Sequence, residues 1–553
     1  MMTLPTASII GMSTLSLLIL ALFIAPSQEG LIPPAATSVT SDKKDAHPTT
    51  TQSGSLQWYL GLIGVIWYLI VLLLGYTGWV EVMRKFSQKK KLPKPNSKRE
   101  PVSIIRPCKG IDTEMLQRLE SCILQEYPKD KFEVLFCVEN ATDLCIPIIK
   151  QLIEKYPDYD LKLLISSAVD EKPIDYFGPN PKINNLAKAY RHAAYDIVWV
   201  LDSNVWVSPG TLARSVRSLE ESLDNGLPTH GRPVVLTHHV PLAISISDRK
   251  SLSPSARLDE MFLFSSHAKF YVAFNKASIA PCINGKSNLY RRSSLDKAVA
   301  LIGTGKKSTD LFRDKEIQSE ARIIELKNQN RVPHEHASFL EVTSSDGQLQ
   351  ERTIECTRHF HGIEFFSTYI GEDNMIGTAL WDMLGGRTGM TGDVVVQPLK
   401  FGTRDDGLRN YINRRVRWLR VRKYMVLAAT LLEPTTESIV IGLMGSFGIS
   451  ALIGGRMSIV FSCHMILWCL TDWLQYKVLM DNLYQDECLH DLPQFLKEHG
   501  HRRPLCDWLK IWLLRELCAL PIWVEAMCGS VIYWRNKPFK IKRDLTAEAL
   551  NVM

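Results

Sequence analysis

The chain has 553 residues, 46% hydrophobic and 22% charged, with a formal net charge of +7 at pH 7, room for one large domain or two to four ordinary ones. The positive balance requires no nucleic-acid partner, because the basic run in residues 83–99 more than accounts for it. Twelve cysteines are scattered from Cys108 to Cys528 without a CxxC pair, which argues against a zinc ribbon or a disulfide framework; reduced thiols fit the cytosol.

The apolar residues gather at the two ends. Ala7–Ala25 (ASIIGMSTLSLLILALFIA) suits a signal sequence or a further span, and the lack of a basic start weighs against a cleaved signal. The Ser/Thr/Pro-rich stretch from Pro26 to Ser55 predicts a disordered loop, so residues 1–56 read as an apolar segment and a loop. Gln57–Val80 holds no charge and is long enough to cross a hydrocarbon core of about 30 Å. Residues 81–100 follow as a polybasic linker: Met83–Arg99 carries eight basic residues and no acidic one, marking the cytosolic side.

Residues 101–436 alternate short strands and helices. VSIIRP, FEVLFCVEN, LKLLIS and IVWVLD read as strands; DTEMLQRLESCILQEYP, DLCIPIIKQLIEKYP and INNLAKAYRHAAYD read as helices. The alternation predicts an α/β fold with a parallel sheet. From about Ile302 to His361 the pattern fails, and that polar stretch reads as a partly disordered insertion. Membrane character returns in residues 437–534. Ser438–Gly455 is uncharged, Met457–Thr471 ends at Asp472, and Ile511–Trp534 contains Arg515, Glu516, Pro521 and Glu525, which suits a bent or re-entrant segment. Residues 535–553 form a basic tail that prefers the cytosol.

In open parallel sheets ligands bind beyond the carboxyl ends of the strands, so polar residues directly after apolar runs are the candidates. FCVENATD ends in Glu139, Asn140 and Asp143. WVLDSNVWV breaks at Asp202, a carboxylate suited to a hard cation such as Mg2+ or Mn2+, or to a turn. YIGEDNMIG places Glu372 and Asp373 at a helix start, where an acid also serves as a cap. NRRVRWLR puts Arg414, Arg417 and Trp418 on one helical face, suited to a diphosphate or to a membrane interface.

In this order, these positions resemble the D1, D2, D3 and (Q/R)xxRW signature of family-2-like GT-A glycosyltransferases, with a closer similarity to the ceramide glucosyltransferase family. IRPCKGID (105–112), QEYPKDKFEVLFCVENATD (125–143), NPKINNL (180–186), VWVLDSN (198–204), SSHAKFYV (265–272), GEDN (371–374) and RRVRW (414–418) carry the resemblance. It implies a GT-A-type, Rossmann-like cytosolic catalytic domain flanked by N- and C-terminal transmembrane helices. It further implies transfer of glucose from UDP-glucose to the primary hydroxyl of ceramide, with inversion, at the cytosolic face of the Golgi or ER membrane. Asp143 would hold the UDP moiety, Asp202 a divalent cation (Mg2+ or Mn2+), and Asp373 would be the base. Lys182, His267, Cys282, Arg414, Arg417 and Trp418 would serve the donor and acceptor. Two departures stand out: Asn140 replaces an acid common in relatives, and DSN replaces DxD, so the cation would lean on phosphates and water.

Three rival readings remain. A processive polysaccharide synthase of the hyaluronan, chitin or cellulose kind would need more spans than the roughly three to five apolar segments present. Dolichyl-phosphate sugar transfer is a second. A non-catalytic lipid-binding scaffold would leave the three acid positions unexplained.

Overall fold

The computed structural model describes residues 51–93, 99–166, 168–169, 172–173, 177–220, 223–224, 227–228, 231–246, 254–306, 311–328, 337–345, 348–356, 362–400, 408–534, 537–542 and 547–550. Ala7–Ala25 and most of the following loop lie outside them, as do parts of the linker, the insertion and the tail. The chain divides into two units: residues up to 73 with 435–470, and residues 74–434 with 471–553.

The larger unit is built on one sheet of ten strands. These are β1 (Val102–Cys108), β2 (Phe132–Val138), β3 (Asp160–Ser166), β4 (Ile197–Leu201), β5 (Trp206–Val207), β6 (Val234–Ser245), β7 (Ser287–Arg291), β8 (Ala337–Ser345), β9 (Gln348–Cys356) and β10 (Arg387–Leu399). Their order is β9-β8-β3-β2-β1-β4-β7-β6-β10-β5. The strands β3-β2-β1-β4 are parallel, so their carboxyl ends share one edge. Beyond them the sheet is mixed: β7 runs antiparallel to both β4 and β6, while β6 and β10 are parallel.

The central strands read as unbroken apolar runs because both faces are covered. Successive side chains point to opposite faces. Ile104 and Trp199 therefore enter one core with Leu119, Ile149 and Leu152, while Ile105, Val198 and Val200 enter the other with Leu186 and Tyr190. A buried ion cluster braces the sheet's far end. Arg214 Nη2 lies 2.7 Å from Asp393 Oδ1 and 2.6 Å from Asp486 Oδ2. Lys90 of the basic linker reaches Asp393 at 3.9 Å and its backbone NH donates to Gln485 O. Part of the linker is thus packed structure, not a free tether.

The stretch expected to be irregular carries a helix, Lys315–Asn328, and the β8–β9 hairpin. β8 pairs antiparallel with β3, extending the sheet. Phe339 and Val342 are buried there, but much of the hairpin faces water, and that half-solvated setting masks strand periodicity. The late segment, expected to be bent or re-entrant, forms one continuous helix, Leu505–Met527, with Pro521 inside it, followed by a strand, Val531–Trp534. Arg515 and Glu516 turn inward and pair, Lys510 and Glu525 stay exposed, and Leu505, Leu509, Leu513, Leu517, Leu520 and Val524 are exposed as well. That division suits a helix lying in a membrane interface.

Among the described residues two helices are long and apolar enough to cross a membrane, Leu56–Phe86 and Met457–Asn482; a bent pair, Leu427–Thr436 with Ser438–Ile453, makes a third if it counts as one span. Within the smaller unit, a Cβ on Gly448 would lie 2.6 Å from Gly61 O, so glycine is needed for this close helix contact. Tyr68 Oη and His464 Nδ1 are 3.1 Å apart, and Trp67 Nε1 donates to Thr435 Oγ1.

Candidate active site

The parallel strands deliver their ends to one edge, and the expected acids stand there. Asp202 directly follows β4, and its backbone NH donates to Lys286 O at 3.0 Å, closing the β4–β7 pair. The motif NPK starts a helix, Pro181–His192. Asn180 caps it by accepting from the NH groups of Lys182 and Ile183, and Pro181 takes the position where a missing NH costs nothing. Asn180 Nδ2 donates to Tyr369 O and to Glu372 Oε2. One side chain thereby orients both the lysine helix and the acid pair at the start of Glu372–Leu384.

Lys182 is the hub. Its ammonium lies 2.9 Å from Asp202 Oδ1, 3.1 Å from Glu372 Oε1 and 3.1 Å from Gly285 O. A Cβ on Gly285 would stand 3.0 Å from Asp373 Oδ2 and 3.1 Å from Lys182 Nζ, so Gly285 lets both groups approach the same point. Burial and the neighbouring charge of Glu372 push the Asp373 carboxyl up to about 7, against the pull of Lys182. Burial also opposes ionisation of Asp202, but Lys182 and then Lys286 outweigh it and hold that carboxyl at about 2. Two carboxylates in one site are thus driven apart, one suited to taking a proton and one permanently charged.

Lys286 was not among the expected residues. Its Nζ lies 3.3 Å from Asp202 Oδ2 and 2.9 Å from Asn204 Oδ1. Burial lowers its pKa, and Asp202 opposes that shift. Asp259 was missed as well. It is buried on the helix Ser255–Phe262, 3.1 Å from Arg414 Nη1, and burial pushes its carboxyl up to about 6 against Arg414 and Arg415. Only the folded chain reveals either residue, since neither lies in a strand-end acid motif.

Arg414, Arg417 and Trp418 share the helix Arg409–Met425, which packs Tyr411, Val416 and Leu419 against Ile522 and Ala526 of the leucine-striped helix. Among the described residues Arg417 has no ion-pair partner. Its pKa is lowered by burial and by Arg414. His267 stacks on Tyr271 at 5.0 Å, with Trp418 6.5 Å away. Among the described residues its Nδ1 has no hydrogen-bond partner, and burial followed by Arg415 pushes its pKa down to about 3, so the ring is neutral. Tyr271 Oη contacts His238 Nδ1 and accepts from Asn284 N, which braces the loop carrying Cys282, Gly285 and Lys286. Burial pushes the Cys282 thiol up, so it remains protonated. Asp143 stands apart: its Oδ1 accepts from Gly110 N at 2.8 Å and Cys145 N at 3.0 Å, tying together the loops after β1 and β2.

A divalent cation at Asp202 finds a poor ligand set. Each Asp202 oxygen faces an ammonium, Asn204 accepts from Lys286, and no group of three or more His, Cys, Asp or Glu among the described residues is placed to hold one ion.

The model of glycosyl transferase family 21 matches residues 58–302 and 356–547, omitting most of the polar segment. A ceramide glucosyltransferase of Komagataella phaffii is 46% identical over 90% of this chain and 93% of its own length. That of Candida albicans is 41% identical over 89% of this chain and 98% of its own. Among solved structures, a mannosyltransferase from Pyrobaculum calidifontis in complex with GDP-Man and Mn2+ is 16% identical, with a TM-score of 0.36 over 77% of this chain and 100% of that one. On the family match and these two relatives, the chain belongs to glycosyl transferase family 21, among the ceramide glucosyltransferases.

Proposed function

We propose that the chain moves glucose from UDP-glucose to the primary hydroxyl of ceramide, with inversion, in a GT-A-type domain at the cytosolic face of a Golgi or ER membrane. The observation that carries this reading is the Lys182 hub, which holds a permanently ionised Asp202 beside Asp373, whose pKa lies near 7. Asp373 takes the hydroxyl proton as the ceramide oxygen attacks C1 of glucose. The C1–O bond to the diphosphate breaks on the opposite face, and UDP leaves with the electron pair. No covalent sugar–protein bond forms.

The leaving diphosphate needs positive charge. Lys286 and Arg417 supply it, with Arg414 held beside them by Asp259. Asp143 shapes the floor for the nucleotide by joining the two strand-end loops. His267 and Trp418 offer an aromatic wall, and Cys282 lines the loop beside Asp373. The acceptor's two chains stay in lipid. The arginine helix packs on the helix with the exposed leucine stripe, which supports entry of the headgroup sideways from the membrane.

The test is product analysis. Membranes containing the protein, given labelled UDP-glucose and ceramide, should form glucosylceramide, and D202A and D373A should each abolish it while the protein remains folded and membrane-bound. A water-extractable polymer, or full activity in both variants, overturns the reading.

A further inference from the structure

We infer that the Lys286 ammonium stands in the place between the first and third residues of DSN where a DxD motif would hold a divalent cation, and that this chain binds the donor diphosphate without a metal. The inference rests on the diphosphate donor proposed above.

Four observations carry it. First, the ammonium bridges Asp202 Oδ2 and Asn204 Oδ1, the two side chains that would chelate a metal in such a motif. Second, the exchange is balanced in charge: an asparagine replaces the second carboxylate, and a monovalent cation replaces a divalent one. A metal at Asp202 would meet two ammonium groups already seated on its oxygens. Third, the donor count leaves a hand free. The ammonium of Lys182 has three N–H donors, and Asp202, Glu372 and Gly285 O occupy them. Among the described residues Lys286 has two acceptors, Asp202 and Asn204, so one N–H remains for a phosphate oxygen. Fourth, its loop is built to hold position. Asn284 Oδ1 accepts from Lys286 N, Tyr271 Oη accepts from Asn284 N, Asn288 Nδ2 donates to Asn284 O, and Asn374 Oδ1 accepts from Ile283 N. The residues that aim the lysine therefore reach into the GEDN motif itself.

The measurement is UDP binding by the full-length protein in detergent, in EDTA and in Mn2+, with bound Mn2+ followed separately by electron paramagnetic resonance. The wild type should bind UDP within about threefold equally in both, with no protein-bound Mn2+ signal. K286M should lose binding at least tenfold in EDTA and regain part of it with Mn2+; K286R, which keeps the charge, should stay metal-independent. UDP binding that EDTA abolishes and Mn2+ restores in the wild type overturns this inference and leaves the donor reading standing. K286M binding UDP normally in EDTA also overturns it. No UDP binding in either condition overturns the donor reading, and this inference with it.

Discussion

Asn180 holds Glu372: its Nδ2 donates to Glu372 Oε2 over 3.0 Å while its Oδ1 caps the helix that carries Lys182. Asn180 is wholly buried, so a change there is felt at both ends. N180D keeps the cap acceptor but places a carboxylate against Glu372. It should leave the helix formed and lower kcat/KM by about 10- to 100-fold, since small misplacements of reacting groups cost that much. N180A should also lose about 1 kcal/mol of stability with the cap. Thermal unfolding and kinetics on the purified protein check both.

The pH profile follows from Asp373. A base must be unprotonated, and this carboxyl sits near 7, so kcat/KM should rise as pH increases through about 7. Glu372 raises that value and Lys182 lowers it. E372Q should therefore move the acid limb to lower pH, and K182M should move it to higher pH. Opposite or absent shifts would remove Asp373 from the role of base. D373N should cost about 100- to 10,000-fold in kcat.

Gly285 tests the crowding at the hub. G285A places a methyl group 3.0 Å from Asp373 Oδ2 and 3.1 Å from Lys182 Nζ. Both are side-chain tips that can move, so unfolding temperature should barely change. Turnover should fall about 10- to 100-fold, because the displaced groups are the reacting ones. Unaltered kcat would mean that their close approach is unimportant.

The buried Asp393 is a stability residue, not a catalytic one. Burial opposes its ionisation, but Arg214 and then Lys90 hold its carboxyl well below the usual range. D393N leaves those cations short of a partner inside the protein and should cost about 3–5 kcal/mol. A depressed carboxylate contributes stability above its unfolded pKa of about 4 and loses it on acidification. The gap in unfolding temperature between wild type and D393N should therefore shrink as pH falls below about 4.

The legible parts of this molecule were those written in local order. The run Ile197–Leu201 and its stop at Asp202 mark a strand end without any knowledge of neighbours, and all five residues of that strand are buried. The β8–β9 hairpin was not legible, because its burial comes from joining the edge of a sheet assembled elsewhere in the chain. The single helix Leu505–Met527 was misleading for a related reason: Arg515 and Glu516 read as obstacles until each is seen to neutralise the other.

By itself the sequence determined the apolar helix at residues 57–80, the parallel strands and the three acid positions, because hydrophobic period and strand length are properties of neighbours in the chain. Only the tertiary structure decided which cation meets which acid. Lys286 faces Asp202 from 84 residues away because β7 lies antiparallel beside β4 with Ser287 opposite Leu201. Asp259 meets Arg414 because two distant helices pack together. Such pairings depend on strand order and helix docking, and an ion pair records no trace of itself in the spacing of either partner.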